Sequence, residues 1–482
     1  MAFLWLHMCW PPHSGAVIVE VMKAIVLSFE RLAARFLGCY GNDRVHTPQW
    51  DRLAAMATVF DHCLAGSPEP DHLADWWTGC HHTRGRVLTD GPHLLDALRA
   101  AGVHTRFICE SPSLLVEGDC PAFDSRTRVS GISGADAEDF ETPFAQLVAE
   151  GCRQLQAWQS GAAAELLWLH SQAIPVPWIP PQDSAAPYFD ALPDEDDEAD
   201  DEDTNAGADR RQTDANPTAP DAAAEEQELL DFERFVCSGG RLTSEADWAA
   251  TGLSPSDWSM SRAAYTGYIS LIDGYLGTLL DAILESNERL LLIVTSATGQ
   301  RLRNAESWME GLAGTREEDL HCPLLVHDSG APHSTRRADL VQNVDVPASL
   351  LEWFDCPTSR MEGRSLLPAV RNEASHTREY VCFADATHHG IRSQDFALLK
   401  PRESVTPGND HLRLFVKPDD YWEVTNLWTQ YPESTRQLEQ TLLNFESACN
   451  NPPPADLPSL ATEQDRDTAA SDDLETSSEH TT

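Results

Sequence analysis

Apolar residues follow one another along this chain in two rhythms, and the alternation of the two predicts an α/β fold. Short unbroken apolar runs mark strands buried on both faces: 23–29 (KAIVLSF), 105–109, 164–170 (AELLWLH), 290–295 (LLLIVT) and 323–327. Between them apolar residues return at helical spacing over 49–57, 93–101, 144–158, 262–285 and 341–354. In the longest of these, Tyr265, Tyr268, Ile269, Ile272, Leu276 and Leu279 share one face. Pro48 falls in a first helical turn and Gly102 just past a helix end, the places where those residues fit best. Strands alternating with helices predict a large, mostly parallel sheet flanked by helices. From about Tyr380 the pattern changes to short strands at 380–383, 397–399 and 412–416, closed by a helix over 433–449. The expected organisation is an α/β domain over 22–375 and a small α+β C-terminal subdomain over 376–450.

Three stretches carry neither rhythm. Asp194 to Asp203 is acidic at every position except Ala199, and the polar run around it spans 193–228. Residues 451–482 are acidic and rich in Ser, Thr and Pro. Both tracts are too poor in apolar residues to offset the entropy of ordering and are expected to be disordered. Residues 1–10 are apolar, but no Lys or Arg precedes them and Pro11 and Pro12 interrupt them. That is not the pattern of a signal peptide, and it is too short to span a membrane. Residues 1–21 are expected to be a non-native or disordered extension, with Met22 the natural start.

Charge narrows the partners. The chain has 34 basic and 77 acidic residues, a formal net charge of −43. Such a field disfavours nucleic acid and anionic membrane, and repels a sulfated or phosphorylated substrate unless a local cationic site overcomes it. The twelve cysteines are scattered, with no CxxC and no paired zinc-ligand spacing. They read as small buried hydrophobes rather than disulfides, which points to the cytoplasm.

Several phrases, in order, resemble one family. Leu37 to Ala55 (LGCYGN…HTPQWDRLAA) is similar to the Gly-x-Tyr-Gly-Asn…Thr-Pro-Asn-x-Asp-Arg-Leu-Ala of sulfatases. The segments Arg262 to Ile283, Cys322 to Pro368 and Ile391 to Pro401 resemble later parts of the same fold. The resemblance implies an alkaline-phosphatase/sulfatase-like architecture. It also implies chemistry: a formylglycine made within Cys/Ser-x-Pro-x-Arg, a divalent metal held by carboxylates and an amide or imidazole, and Lys and His groups on the ester.

Carried over residue by residue, that chemistry is missing. Glu30 and Arg31 stand where the family has metal-binding Asp; Glu30 could ligate a cation, whereas Arg31 would repel one. The nucleophile position falls at Glu69 and Pro70, in a loop with Asp71 and His72 that has no Cys, Ser or Arg. Cys80 lies beyond it with no Pro-x-Arg after it. The second metal strand ends Ser296-Ala297-Thr298-Gly299 where the family has Ser-Asp-His/Asn-Gly; alanine cannot ligate, and threonine is a poor ligand. The family's Lys falls near Glu110 and its His near Pro175, while His170 ends a strand. Asp385, His388 and His389 form a second candidate, weighed against a polar loop. Trp76, Trp77, Trp248, Trp258, Trp353, Trp422 and Trp428 could line a pocket or pack the core.

These residues predict a sulfatase-like protein without hydrolytic activity that binds or scaffolds, with a protein partner or an active homologue and with no cofactor. Two alternatives stand beside it. One is an active sulfuric or phosphoric ester hydrolase with a rearranged, calcium-type site. The other is an interaction protein that works through the acidic insertion.

Overall fold

The computed structural model describes residues 22–68, 73–81, 93–110, 122–158, 163–172, 174, 178–189, 255–286, 289–302, 316–331, 334–373, 378–385, 387–402, 412–454 and 456–460. The acidic insertion and residues 1–21 lie outside them, as does most of the tail.

Along the chain the main sheet takes β1 (Lys23–Arg31), β2 (Thr58–Leu64), β3 (His104–Cys109), β4 (Ser125–Arg128), β5 (Glu165–Ser171), β6 (Leu290–Thr298), β7 (His321–Cys322), β8 (Leu324–Asp328) and β9 (Thr335–Gln342). Their order is β4-β3-β5-β1-β6-β8-β2-β7, with β9 paired to β2. From β4 through β6 every neighbour is parallel, and β8 is the antiparallel insert before β2. The fold is α/β with a mostly parallel sheet, as the apolar runs predict.

The helices are α1 (Pro48–Ala54), α2 (Leu73–Thr78), α3 (Leu94–Ala100), α4 (Pro143–Trp158), α5 (Gln182–Phe189), α6 (Pro255–Glu285), α7 (Glu317–Leu320), α8 (Asp345–Trp353), α9 (Leu367–Val370) and α10 (Pro432–Cys449). Successive residues of a strand face opposite sides, so one strand supplies two cores. Ala24 and Val26 of β1 pack with Trp76 and Trp77 of α2, Leu94 and Leu98 of α3, and Leu350 of α8. Ile25, Leu27 and Phe29 pack with Trp50 of α1, Leu147 of α4, and Ile269, Ile272 and Leu276 of α6. The Ser259–Glu285 part of α6 is long and apolar enough to cross a membrane by length and composition. Here that apolarity covers one face of the sheet.

A second sheet, β10 (Tyr380–Ala384), β11 (His388–Ser393), β12 (Phe396–Pro401) and β13 (Arg413–Val416), is antiparallel throughout. Helix α10 covers it with Leu438, Leu442 and Phe445. Gln342 Nε2 donates to Cys382 O at 2.7 Å and Ala384 N to Gly66 O at 2.9 Å, joining the two sheets.

The structure corrects several local expectations. Residues 341 and 342, expected to open a helix, complete β9, and α8 starts at Asp345, whose Oδ2 accepts Gln342 N at 2.9 Å. Cys63 lies inside β2. His388 and His389, weighed as part of a polar loop, open strand β11. Of the nine cysteines among the described residues, seven are buried.

Candidate functional site

Strands β1, β3, β5 and β6 all run the same way, so their carboxyl ends meet at one edge, where open α/β sheets present their ligand sites. The register brings Phe29 beside both Ser171 and Ser296, Arg31 beside Thr298, and Cys109 beside His170. The expected positions Glu30, Arg31, Glu110, His170, Ala297 and Thr298 therefore do come together. Glu69, Pro70, Asp71 and His72 lie outside the described residues, as does Pro175.

At the end of β1 the burial that is complete through Phe29 gives way to half-buried Glu30 and Arg31. Thr298 Oγ1 donates to Glu30 O at 3.1 Å. Ser296 Oγ accepts Leu32 N at 2.9 Å and lies 2.8 Å from Thr298 O. From the opposite layer, Tyr265 Oη accepts Ala33 N at 3.1 Å and reaches Arg31 O at 3.4 Å. The turn leaving β1 is thus tied by two side chains of distant sequence, and neither of those hydroxyls points to an outside ligand.

His170 is 1% exposed. Its Nδ1 lies 2.8 Å from Ser28 Oγ, which also accepts Trp168 Nε1 at 2.8 Å. Its ring stands 6.3 Å from Trp76 and, stacked, 6.3 Å from Phe107. Burial pushes its pKa down to about 3, so the imidazole is neutral. Its Nε2 stands 4.0 Å from Glu30 Oε1, and a neutral ring gives that carboxylate no ion pair. Glu110 accepts Ser171 Oγ at 2.8 Å and Gln172 N at 3.1 Å. Burial pushes its carboxyl up to about 7 against the pull of those two bonds, with the charge of Glu30 adding to the rise.

A divalent cation does not fit this set. Ala297 is packed in the core, and its carbonyl already accepts Asn343 Nδ2 at 2.9 Å. The Thr298 hydroxyl is committed to Glu30 O, and Arg31 brings a positive charge to the place where a second acid would be needed. Among the described residues no three His, Cys, Asp or Glu side chains are grouped so that they could hold a metal.

The second candidate does not assemble either. Asp385 Oδ1 accepts Thr387 N and His388 N, both at 2.6 Å, and so caps its own turn. His389 Nδ1 pairs with Glu446 of α10. Of the tryptophans, Trp76, Trp77 and Trp353 are core and Trp422 is exposed, while Trp248 and the side chain of Trp258 lie outside the described residues.

Sequence reasoning missed a buried charge network between the two sheets. Lys417, whose side chain has no exposed surface, lies 2.6 Å from Glu317 and 3.0 Å from Glu423, and Arg392 lies 3.6 Å from Glu317. No spacing along the chain signals it, because its members come from α7, β11 and the segment after β13.

Residues 23–356 match the sequence profile of the sulfatase family. The chain is 26% identical over 210 residues to the multifunctional alkaline phosphatase superfamily protein PehA of Trinickia caryophylli, covering 42% of this chain and 39% of that protein. It is 23% identical over 197 residues to arylsulfatase K of Rattus norvegicus, covering 38% of this chain and 34% of that protein. The match thus spans well under half the length of these curated relatives. In fold it is similar to the phosphonate monoester hydrolase of Agrobacterium radiobacter, with a TM-score of 0.63 and 16% identity over 89% of this chain and 96% of that one. It is also similar to a protein solved with its substrate D-glucosamine-2-N,6-O-disulfate, with a TM-score of 0.62 and 17% identity over 90% and 99% of the two chains.

Proposed function

Since this chain belongs to the sulfatase family, we propose that it is a member that has given up ester hydrolysis and works by binding, as a scaffold or as the partner of an active homologue. The observation that carries this reading is the state of the β1 and β6 ends. A sulfate ester must have its charge met by a cationic centre before water or a nucleophile can approach. At the β6 end the side chains available are a core methyl, Ala297, and a hydroxyl closed onto Glu30 O, Thr298. The neutral, enclosed His170 is a poor substitute, since it carries no positive charge for an ester oxygen, and Glu110, its carboxyl pushed up to about 7 by burial, holds a proton more readily than an ordinary metal-binding carboxylate. The use of most of these cysteines as buried side chains supports a cytoplasmic setting.

The test is turnover of aryl sulfate and aryl phosphate by the purified chain, with and without calcium or manganese, together with its metal content. The expected results are background rates and no stoichiometric divalent ion. Metal-dependent turnover abolished by Glu30→Ala would establish the active alternative instead.

A further inference from the structure

Strand β7 is two residues long, and the register that seats it sets two cysteines opposite each other. Cys63 of β2 stands across from Cys322 of β7, and Leu64 across from His321, in antiparallel pairing. Ala65 N donates to Leu320 O at 2.9 Å and carries the ladder one pair further. Directly opposed residues of an antiparallel pair project from the same face of the sheet. Here that face is the core built on Ala24, Val26, Trp76 and Leu350, to which both cysteines belong, 1% and 0% exposed. Opposed Cα atoms in such a ladder lie about 4.5–5.5 Å apart, inside the range of roughly 4.4–6.8 Å that a disulfide spans. Register alone brings the pair within bonding reach.

The thiols are held only weakly where they are. Cys63 Sγ donates to Asn343 Oδ1 at 3.8 Å and Cys322 Sγ to Leu320 O at 3.2 Å, and a thiol is a weak donor. Burial pushes both thiols up, and the neighbouring Cys63 adds to the rise at Cys322. Both are protonated at rest and react slowly, with an oxidant small and uncharged enough to enter the core. Cys109 gives the contrast. It is equally buried in the same core, but its register neighbours are Arg128 and His170.

Strand β7 follows directly on α7, which carries three separate ties. Glu317 meets Lys417, Glu318 pairs with Arg35 at 3.0 Å, and Asp319 O accepts Gly299 N at 2.8 Å just past β6. A covalent link between β2 and β7 would fasten this segment against the end of β6.

We propose that Cys63 and Cys322 are a site of reversible oxidation, closing to a cross-strand disulfide that fastens β7 to β2. The oxidant is a peroxide. One sulfur, as its thiolate, attacks a peroxide oxygen, and an S–O bond forms as the O–O bond breaks, giving a sulfenic acid and water. The second sulfur then attacks the first, and S–S forms as S–O breaks, releasing a second water. Two thiols thus give up two electrons and two protons, and one peroxide becomes two waters. A dithiol reopens the bond by exchange. Transient bonds of this kind belong to reducing compartments, and ester chemistry has no part in them.

The experiment treats the reduced full chain with hydrogen peroxide under native conditions, blocks the remaining thiols after unfolding, and maps linked peptides by mass spectrometry. The link between Cys63 and Cys322 is expected to dominate the map and to open in dithiothreitol. It should also raise the melting temperature by about 3 °C, the scale of one disulfide in a chain of this size. Cys63→Ala and Cys322→Ala should each abolish both the link and the rise, and Cys109→Ala should keep both. If an alanine at 63 or 322 prevents folding, the wild-type map decides. A map without this link overturns the proposal. So does a link no more abundant, relative to other pairings, than in the chain oxidised in urea, or one that survives dithiothreitol. A melting temperature unchanged by the link, or a rise retained in Cys322→Ala, overturns it too.

Discussion

Thr298 donates its hydroxyl to the main-chain oxygen of Glu30, 3.1 Å away across the paired ends of β6 and β1. The two strands that deliver the family's metal ligands are here fastened to one another. Ser296 holds Leu32 N and Tyr265 holds Ala33 N, so protein groups fix the shape of the turn.

Putting one acid back should therefore harm the chain before it helps. Ala297 is 1% exposed and lies within the apolar core, so Ala297→Asp would bury a carboxylate with no cation arranged for it. The expected cost is about 3 kcal/mol of stability, with no gain in calcium affinity. Denaturant midpoints and a calcium titration measure the two halves of that statement. Calcium binding with retained stability would show that the strand ends can still hold an ion.

Tyr265→Phe removes one oxygen and leaves the ring packing of α6 in place. It strips Ala33 N of its acceptor in a buried turn, which should cost about 1–3 kcal/mol. A chevron or equilibrium denaturation series against wild type would read it. A loss under 0.5 kcal/mol, about the size of a neutral surface change, would mean that water replaces the hydroxyl.

These two positions show what the sequence could and could not disclose. The strands that became β1, β5 and β6 were legible because both of their faces are covered, which requires unbroken apolar runs. Strand β9 was not, since its first half, Thr335 to Asp339, alternates between half-buried and exposed positions and carries Arg336 and Arg337. Strand β11 begins with two histidines and includes Arg392, a charged residue that is 2% exposed because Glu317 meets it from α7. Polar residues buried by distant partners look like loops until the partners are known. At the site, family phrases placed Glu30, Glu110 and Thr298 at the strand ends. The binding of Glu110 to Ser171 and Gln172 depends on the pairing of β3 with β5, which no phrase encodes.

Stability should change with pH in two opposed steps. Glu110 has a pKa of about 7 in the folded chain against an ordinary 4.5, so between those values the folded state holds a proton that the unfolded chain has released. Its contribution is lost as pH rises through that window, by up to about 3 kcal/mol. Glu110→Gln should flatten that fall. His170 behaves oppositely: its folded pKa of about 3 against 6.5 gives stability that is full above 6.5 and lost as pH falls toward 3. That loss is up to about 5 kcal/mol, and His170→Gln should remove most of it. Urea midpoints at half-unit pH steps from 4 to 8, roughly the span over which the unfolded groups titrate, would separate the two slopes. Parallel curves for wild type and Glu110→Gln would mean that Glu110 is ionised in the fold.

Lys417 joins the two sheets through charge, and removing it should cost more than any surface ion pair. Its side chain has no exposed surface, and its Nζ serves Glu317 at 2.6 Å, Glu423 at 3.0 Å and Asp420 O at 3.1 Å. Lys417→Met keeps the length of the side chain and leaves two nearly buried carboxylates facing each other without their shared cation. Breaking one side of such a pair costs about 3–5 kcal/mol, whereas replacing both sides is far milder. Glu423 is already raised above its ordinary pKa by burial, so it is the acid that gives up its charge most easily. Lys417→Met should lower the unfolding midpoint sharply, and adding Glu423→Gln should recover about half of that loss, Arg392 remaining to serve Glu317 at 3.6 Å. Salt should matter little to the wild type, because a pair this enclosed is poorly screened. If the double variant is no more stable than Lys417→Met alone, the network stabilises through shape rather than charge.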